Sequence, residues 1–334
     1  MNKICLSVDI GSKNIVIAGM ESHILLNEPC VVATANLNSK FENVACGVEA
    51  LTYYRNASNN AQLIYPIKNG VVDNEVAFVY LLKTFINRLT PKKFLKNYVS
   101  VIANVSCGLT NIEKRMIEES FYKAGVKEVV IVESPLSIKA INNDKVMLLV
   151  NIGSSNTEIA VVTDDGIVNG CSINVGGDDI DYAIVDYISD KYKLIISKGS
   201  SEDIKLGLAT LEENDLSTIT IKGKTVLQNT KNEVKITATE LRPLVQSTID
   251  KIVEVVASVC MMIPKTYLYI IEQNGLYLAG GTSKLSGLAN YLKDRLFLDI
   301  KILDEPEFAV AEGGSKFFYD KGKLSRMLSI DNLN

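Results

Sequence analysis

The stretch DIGSKNIVIA at residues 9–18 returns as NIGSSNTEIA at residues 151–160, and six of the ten positions are identical. In each copy an apolar run ends, Gly-Ser follows, and a second apolar run begins. This pattern predicts a strand, a tight turn and a second strand. A glycine at the tip exposes backbone N–H groups, and exposed N–H groups bind anions. Two copies therefore predict two related halves, with a cleft between them that holds a polyphosphate.

The two copies of this ten-residue segment differ at their first residue, which is Asp9 in one copy and Asn151 in the other. A carboxylate carries a charge, whereas an amide of nearly the same shape is neutral and accepts no proton. We therefore expect an asymmetric site with an acid at only one of its two turns.

Length and composition indicate a globular protein of two domains. The chain has 334 residues, which is long for a single core. Hydrophobic residues make up 47% and charged residues 22%, as in ordinary globular proteins. The net charge of −4 provides no general attraction to nucleic acid, so no nucleic-acid partner is expected.

The cysteines and the single histidine exclude several catalytic classes. Six scattered cysteines without a C-x-x-C pair disfavour metal and redox sites, and we expect small buried residues in a reducing cytosol. His23 alone argues against a Ser-His-Asp triad. No signal-peptide pattern and no membrane-spanning apolar run are visible. We therefore expect a cytoplasmic protein whose membrane contact is peripheral.

Strand and helix signals alternate along the chain, which predicts an α/β fold. Residues 28–33 are predicted to form one short strand, and the polar end after Phe318 is predicted to fray. An apolar stripe predicts a helix over residues 74–89. Capping boxes at Thr110-x-x-Glu113 and Thr237-x-x-Glu240 predict the starts of two more helices, the first of which ends at Gly125. Gly176-Gly177 precedes a further helix that runs towards Tyr192.

Longer blocks resemble the MreB family of bacterial actins, within the actin/Hsp70 ATPase superfamily. They follow the family's order along nearly the whole chain: LNEPCVVA at 26–33, YPIKNGVVDNEVAFVYLLKTFI at 65–86, residues 108–119, VESPL at 132–136, VGGDDIDYAI at 175–184 and LAGGTSKLSGL at 278–288. The resemblance implies an actin-like ATPase fold of two related RNase H-like halves around a nucleotide cleft. It implies domains at 1–140 and 141–320, subdomain inserts at about 29–63 and 181–250, and a polar tail at 321–334.

The resemblance further implies that the two hairpins are phosphate loops for ATP or ADP with Mg²⁺. The residues concerned are Gly11, Ser12, Lys13 and Asn14 in the first loop, and Gly153, Ser154, Ser155, Asn156 and Thr157 in the second. The family's second loop is richer in glycine and carries Thr in place of Asn156. Lys13 replaces a small residue and either contacts phosphate or points into solvent. Two ordinary hairpins are the alternative interpretation.

Asp9, Glu133 and Asn151 are the candidate catalytic residues. In the family, the match to Asp9 faces the magnesium and its waters, and the match to Glu133 orients the attacking water. The alternatives are a turn-capping Asp and a surface Glu before Pro135. The family generally has Asp in place of Asn151, so this chain is expected to bind ATP and to hydrolyse it slowly.

The resemblance also implies which residues contact the nucleoside part of the nucleotide. Gly280, Gly281 and Thr282 resemble the adenosine motif, although the same glycines also suit a strand-to-helix turn. Gly177 belongs to the implied nucleotide set. Glu202 and Lys205 match nucleoside contacts, or form an exposed ion pair one helical turn apart.

Residues 90–97, TPKKFLKN, place Phe94-Leu95 among three lysines. Some relatives carry a membrane-inserting apolar pair here, and this composition suits an anionic bilayer. Alternatively, the pair begins the next strand and faces the core.

The implied function is an ATP-binding, filament-forming protein for cell shape or cytoskeletal support at the inner membrane surface. Subunits would stack head to tail in paired protofilaments, and MreB paralogues are further candidate partners. The alternatives are a monomeric nucleotide switch of the pilus-assembly or Hsp70-like type, and a small-molecule kinase of the same fold. The kinase would need an Asp general base, for which the sequence offers no distinct candidate.

Overall fold

The computed structural model describes residues 3–37, 40–57, 60–90, 98–225 and 230–328. The strands are β1 Lys3–Ile10, β2 Asn14–Gly19, β3 Ile24–Pro29, β4 Val32–Leu37, β5 Lys40–Cys46, β6 Ala61–Ile64, β7 Ile67–Lys68, β8 Val71–Val72, β9 Tyr98–Val105, β10 Glu128–Glu133, β11 Val146–Ile152, β12 Thr157–Thr163, β13 Gly166–Ile173, β14 Leu194–Ile195, β15 Thr218–Thr225, β16 Lys231–Thr237, β17 Leu276–Ala279 and β18 Ile300–Ile302. The helices are α1 Val48–Asn56, α2 Glu75–Leu89, α3 Asn111–Lys123, α4 Ser134–Ala140, α5 Gly177–Tyr192, α6 Lys198–Leu208, α7 Ala238–Met261, α8 Lys265–Asn274, α9 Leu288–Leu296, α10 Ala309–Lys316 and α11 Lys321–Leu328, with a 3₁₀ turn at Gly281–Lys284.

Two five-stranded sheets repeat one strand order. The first runs β10-β9-β1-β2-β3, and the second runs β13-β12-β11-β17-β18. In the first sheet β1 pairs antiparallel with β2 and parallel with β9. In the second sheet β17 lies parallel to both β11 and β18. Each copy of the repeated ten-residue segment therefore begins on the central strand of its sheet. The duplication in the sequence is thus also a duplication of the strand topology.

The chain divides into two compact units. The first comprises Met1–Met147, Ala160–Ser172 and Glu307–Asn334, and the second comprises Leu148–Ile159 and Ile173–Pro306. The subdomain bounds implied by the family resemblance stay a prediction.

The first unit contains a core between its sheet and two helices. Ile15 and Ile17 on β2 and Phe78 and Phe85 on α2 are all completely buried in it. Phe121 on α3 meets Phe78 edge to face, with ring centroids 6.4 Å apart, a geometry that aromatic pairs prefer. The core thereby fixes α2 and α3 against the strands that carry the first loop.

Both predicted capping boxes are confirmed. The Thr110 hydroxyl accepts the Glu113 N–H at 3.3 Å, and the Glu113 carboxylate accepts the Thr110 N–H at 2.8 Å. Thr237 and Glu240 make the same reciprocal pair at the start of α7. Each box satisfies N–H groups that a helix start leaves without intrahelical partners.

The thiols fit the interpretation of small buried residues. None of the six cysteines, all of which the structure describes, forms a disulfide; Cys30, Cys46 and Cys107 are buried, and the other three are half-buried. Burial raises the pKa of Cys30 to about 12 and that of Cys46 to about 11. Neither thiol is a nucleophile at neutral pH.

Two local predictions were wrong. The single strand predicted over residues 28–33 is interrupted at Cys30, whose N–H turns back to the Lys13 carbonyl at 2.7 Å, and proline at 29 ends the ladder of β3. Within the end predicted to fray, residues 321–328 form α11 instead, because Leu324, Met327 and Leu328 share one helical face and pack into a cluster with Leu136 and Phe317. Among the described residues, no helix is long and apolar enough to cross a membrane.

Candidate functional site

The second loop turns its carbonyl groups towards the first turn of α5. The Gly177 N–H donates to the Gly153 carbonyl at 3.0 Å, and the Asp178 N–H donates to the Ser154 carbonyl at 2.7 Å. In a trans peptide the C=O and the N–H point in opposite directions. The N–H groups of Ser154 and Ser155 therefore point to the side of the loop opposite α5, and successive backbone N–H groups are the donors with which turns bind anions.

Glycines line this loop because other residues would not fit. A Cβ on Gly176 would lie 2.6 Å from the Ser154 carbonyl oxygen, and one on Gly177 would lie 2.8 Å from Thr282 Oγ1. Thr282 Oγ1 also donates to the Gly153 carbonyl at 3.0 Å. The loop, the start of α5 and the predicted adenosine motif therefore form one packed cluster, within the second unit.

Gly280 is the most constrained member of that cluster. Its φ of +83° lies in the region that favours glycine, and a Cβ there would be 2.3 Å from the Ile152 carbonyl oxygen. Gly281 is exposed, and an added Cβ there would meet nothing within 4 Å. The two neighbouring glycines are thus under different constraints.

Lys205 is held inside the cluster rather than in solvent. Its side chain is only 12% exposed, and Nζ donates to the Gly177 carbonyl at 2.9 Å and to Asp181 Oδ2 at 2.7 Å. The alternative of an exposed surface pair is therefore wrong for this lysine. Glu202 lies half-buried on the same helix, α6. The lysine ties α6 to the first turn of α5 and places a cation beside the loop.

The first loop repeats the geometry of the second. A Cβ on Gly11 would lie 2.5 Å from the Asn14 carbonyl oxygen, and one on Gly153 would lie 2.9 Å from the corresponding oxygen of Asn156. Asn14 Nδ2 donates to Asn27 Oδ1 at 2.6 Å, which ties the end of the loop to the neighbouring strand β3. The side chain of Lys13 is exposed.

Glu133 ends β10 and is buried, with 7% of its surface exposed. Its Oε1 pairs with Lys114 Nζ at 2.7 Å, and its Oε2 accepts the Gly108 N–H at 3.2 Å. The alternative of a surface glutamate is therefore wrong. Asp9, half-buried near the end of β1, lies opposite Asn104 of β9 in the strand register.

Asn151 makes a contact that its sequence position did not predict. Its Nδ2 donates to Glu158 Oε2 at 2.7 Å, and Glu158 is 3% exposed. Thr157, also predicted to bind nucleotide, is fully buried and donates from Oγ1 to the Val175 carbonyl at 2.7 Å. The side chain of Thr157 therefore supports the loop from behind.

Sequence reasoning missed three charged partners: Lys114, Glu158 and Asp181. Glu158 had a visible signal, because it is an acid within an otherwise buried strand directly after a phosphate-loop motif. Lys114 and Asp181 had none, since each lies on a helix whose facing residues depend on tertiary packing. Phe94 and Leu95, the predicted membrane pair, lie outside the described residues.

Comparison with known proteins assigns the chain to a family. A family model described as MreB/Mbl protein matches residues 3–326. The chain belongs to the MreB/Mbl family. Its relatives in that family include the cell shape-determining protein MreB of Escherichia coli strain K12, 28% identical over 319 residues, which are 93% of this chain and 92% of the relative. The cell shape-determining protein Mbl of Bacillus subtilis strain 168 is 28% identical over 328 residues, 96% and 97% of the two chains.

Solved structures confirm the predicted actin-like fold. MreB5 of Spiroplasma citri bound to AMPPNP has a TM-score of 0.89 at 24% identity, covering 97% of this chain and 98% of its own. The MamK double helical filament has a TM-score of 0.80 at 16% identity, covering 95% and 99%. The alternatives of an Hsp70-like switch and of a kinase are not favoured by these MreB/Mbl relatives.

The spacing of acidic side chains in this MreB/Mbl chain bears on how it could bind a metal ion. Within the described residues, no group of three or more His, Cys, Asp or Glu side chains could hold a metal ion. Magnesium commonly keeps several waters and binds through one or two carboxylates plus substrate phosphates. A magnesium ion held through water by Asp9 therefore stays a prediction.

The two adjacent glycines provide a stability test of the cluster. We expect Gly280→Ala to lower the free energy of unfolding by about 2–4 kcal/mol, because the new Cβ meets backbone at a positive φ. We expect the matched control Gly281→Ala to stay within about 0.5 kcal/mol of wild type. Urea denaturation without nucleotide measures both, and equal effects would contradict this account.

Proposed function

We propose that this chain is an ATP-binding, filament-forming protein of cell shape or cytoskeletal support that hydrolyses ATP slowly. The observation that carries the proposal is the orientation of the second loop, whose N–H groups at Ser154 and Ser155 face away from α5. Backbone donors of this kind bind phosphate without requiring basic side chains. The relatives support the nucleotide, since MreB5 of Spiroplasma citri is solved with ADP and with AMPPNP.

The proposed catalytic roles are those that the resemblance to the MreB family implies for each group. Phosphoryl transfer needs positioned phosphates, a divalent cation and an oriented water. Asp9 is the acid for the magnesium shell, and Glu133 is the carboxylate for the water. Asn151 contributes an amide, which stabilises developing charge around the metal less well than a carboxylate does. Magnesium, when bound, neutralises phosphate charge. The proposed result is firm binding and slow turnover.

Hydrolysis rates test these roles. We expect slow phosphate release in the wild type, an increase of about tenfold or more in Asn151→Asp, and a loss of about a hundredfold in Glu133→Gln. Phosphate release at saturating ATP measures the rates, and a fluorescent ATP analogue confirms that each variant still binds. Wild-type turnover as fast as that of Escherichia coli MreB, and unchanged in Asn151→Asp, would contradict the proposal.

Assembly is proposed to be head to tail, with protofilaments that pair and with MreB paralogues as further partners. The MamK relative is solved as a double helical filament. Negative-stain electron microscopy with ATP, with ADP and without nucleotide tests assembly directly. We expect filaments or sheets with ATP. Their absence under every nucleotide condition would instead favour a monomeric switch.

Peripheral contact with the inner face of the cell membrane is proposed through residues 90–97. The support is compositional, since Phe94 and Leu95 stand among lysines that suit an anionic surface. We expect Phe94→Ser/Leu95→Ser to lose most pelleting with anionic liposomes. Phe297→Ser is the matched control, because this phenylalanine is 90% exposed elsewhere in the chain. Undiminished pelleting of the double variant would remove the idea.

A further inference from the structure

The pair formed by Asn151 and Glu158 is built into the second loop. The two residues lie on β11 and β12, the strands that flank the turn, and Nδ2 donates to the glutamate Oε2 at 2.7 Å. A Cβ on Gly280 would lie 2.7 Å from Asn151 Oδ1. The amide therefore has its nitrogen directed to Glu158 and its oxygen directed to the side of Gly280 in the predicted adenosine motif.

We propose that Glu158 is the positioning residue of this half of the site, and that it provides the negative charge that Asn151 lacks. The inference rests on the proposed function, because it concerns the magnesium-nucleotide complex. Glu158 acts through the amide: its carboxylate fixes which end of Asn151 faces the glycine motif. Asn151, not Glu158, is the residue placed to meet the ligand's water shell.

The physical basis is polarisation of the amide. A carboxylate that accepts an amide N–H draws positive charge towards that hydrogen and leaves more negative charge on the amide oxygen. The effect is strengthened by burial, because Glu158 is 3% exposed and little water screens it. An amide oxygen polarised in this way is a better acceptor for water held by a cation.

The fixed orientation matters as much as the charge. An unrestrained Asn can present either its oxygen or its NH₂ group, and the NH₂ group would repel a magnesium shell whose waters offer only hydrogens. A hydrogen bond from Nδ2 to a carboxylate leaves only the oxygen end for that role. Partners that orient a metal's ligands in this way commonly change metal affinity about ten- to a hundredfold when they are removed.

A purely structural role for Glu158 would have a different consequence. Removal of a buried acceptor would lower stability, and it would weaken nucleotide binding equally with and without magnesium. The proposed role changes the magnesium dependence itself. The ratio of ATP affinities with magnesium and with EDTA therefore separates the two.

The test uses charge relocation between the two positions. Glu158→Gln keeps an acceptor for Asn151 but removes the charge, and we expect the magnesium-dependent gain in ATP affinity to fall about tenfold. The double variant Asn151→Asp/Glu158→Gln moves the negative charge from residue 158 to residue 151, and the glutamine NH₂ group donates to the new carboxylate. We expect the magnesium-dependent gain in ATP affinity to return to at least the wild-type value. Glu233→Gln makes the same charge change on a side chain that is 58% exposed on β16, and we expect no effect.

The outcomes separate the inference from the proposed function. Titrations of a fluorescent ATP analogue give the affinities, and thermal melts report folding. A magnesium-dependent gain that is unchanged in Glu158→Gln would overturn the inference alone, even if the melting temperature falls. Wild-type protein that binds no nucleotide under either condition would overturn the proposed function and the inference with it.

Discussion

The close packing of α10 against α4 and β1 is the constraint on which the positions of Asp9 and Glu133 in the first unit depend. A Cβ on Gly313 would lie 1.9 Å from the Ser137 carbonyl oxygen, and one on Gly314 would lie 2.4 Å from Ser7 Oγ. Beneath this contact, Asn104 donates to Ser7 Oγ at 3.0 Å and accepts the Ser137 hydroxyl at 2.5 Å. These buried polar groups stabilise the fold only because each has a partner.

That network connects the elements that carry Asp9 and Glu133 in the first unit. Asn104 bonds β9 to β1, the strand that carries Asp9, and through Ser137 it bonds to α4. Glu133 is the N-cap residue of α4, so its backbone moves with that helix. A larger side chain at Gly313 would push α10 away from α4, and one at Gly314 would push it away from Ser7 and Asn104. Either change would disturb Glu133 without touching it. The glycines are therefore needed for the position of a carboxylate elsewhere in the unit.

The sequence was informative wherever four to ten neighbouring residues decide the outcome. The capping boxes at Thr110 and Thr237 were predicted correctly because each is a reciprocal bond within a single turn. The paired hairpins were predicted because their glycines and apolar runs are local. The helix α11 was not predicted, because its sequence is mostly polar and only three apolar residues form its buried stripe. The strand β3 was predicted to continue past Pro29, because the end of a strand depends on its pairing and not on local sequence alone.

Partner choice was not predictable in the same way. Lys114 and Glu133 are 19 positions apart, and Lys205 and Asp181 are 24 apart, so only the packing of helices on the sheets brings them together. For Lys205 the structure excluded the exposed ion pair, one of the two interpretations that the sequence left open, and the nucleoside contact stays a prediction. For Asn151 it added Glu158, a partner seven positions away. The equivalent residues of the first hairpin, Asp9 and Val16, are cross-strand partners, so the register of the repeated hairpin accounts for this pair.

The contacts of Glu133 are a second reason to propose slow hydrolysis, besides the difference between Asp9 and Asn151. Both of its carboxylate oxygens already accept protein donors, one from Lys114 and one from Gly108. A carboxylate oxygen has a further lone pair for water, so these donors orient the group without blocking it. The ammonium of Lys114 nevertheless competes with any water for the same negative charge. The proposed slow hydrolysis would then have one cause in each unit: the neutral amide of Asn151 in the second, and in the first the carboxylate of Glu133, whose charge is shared with Lys114.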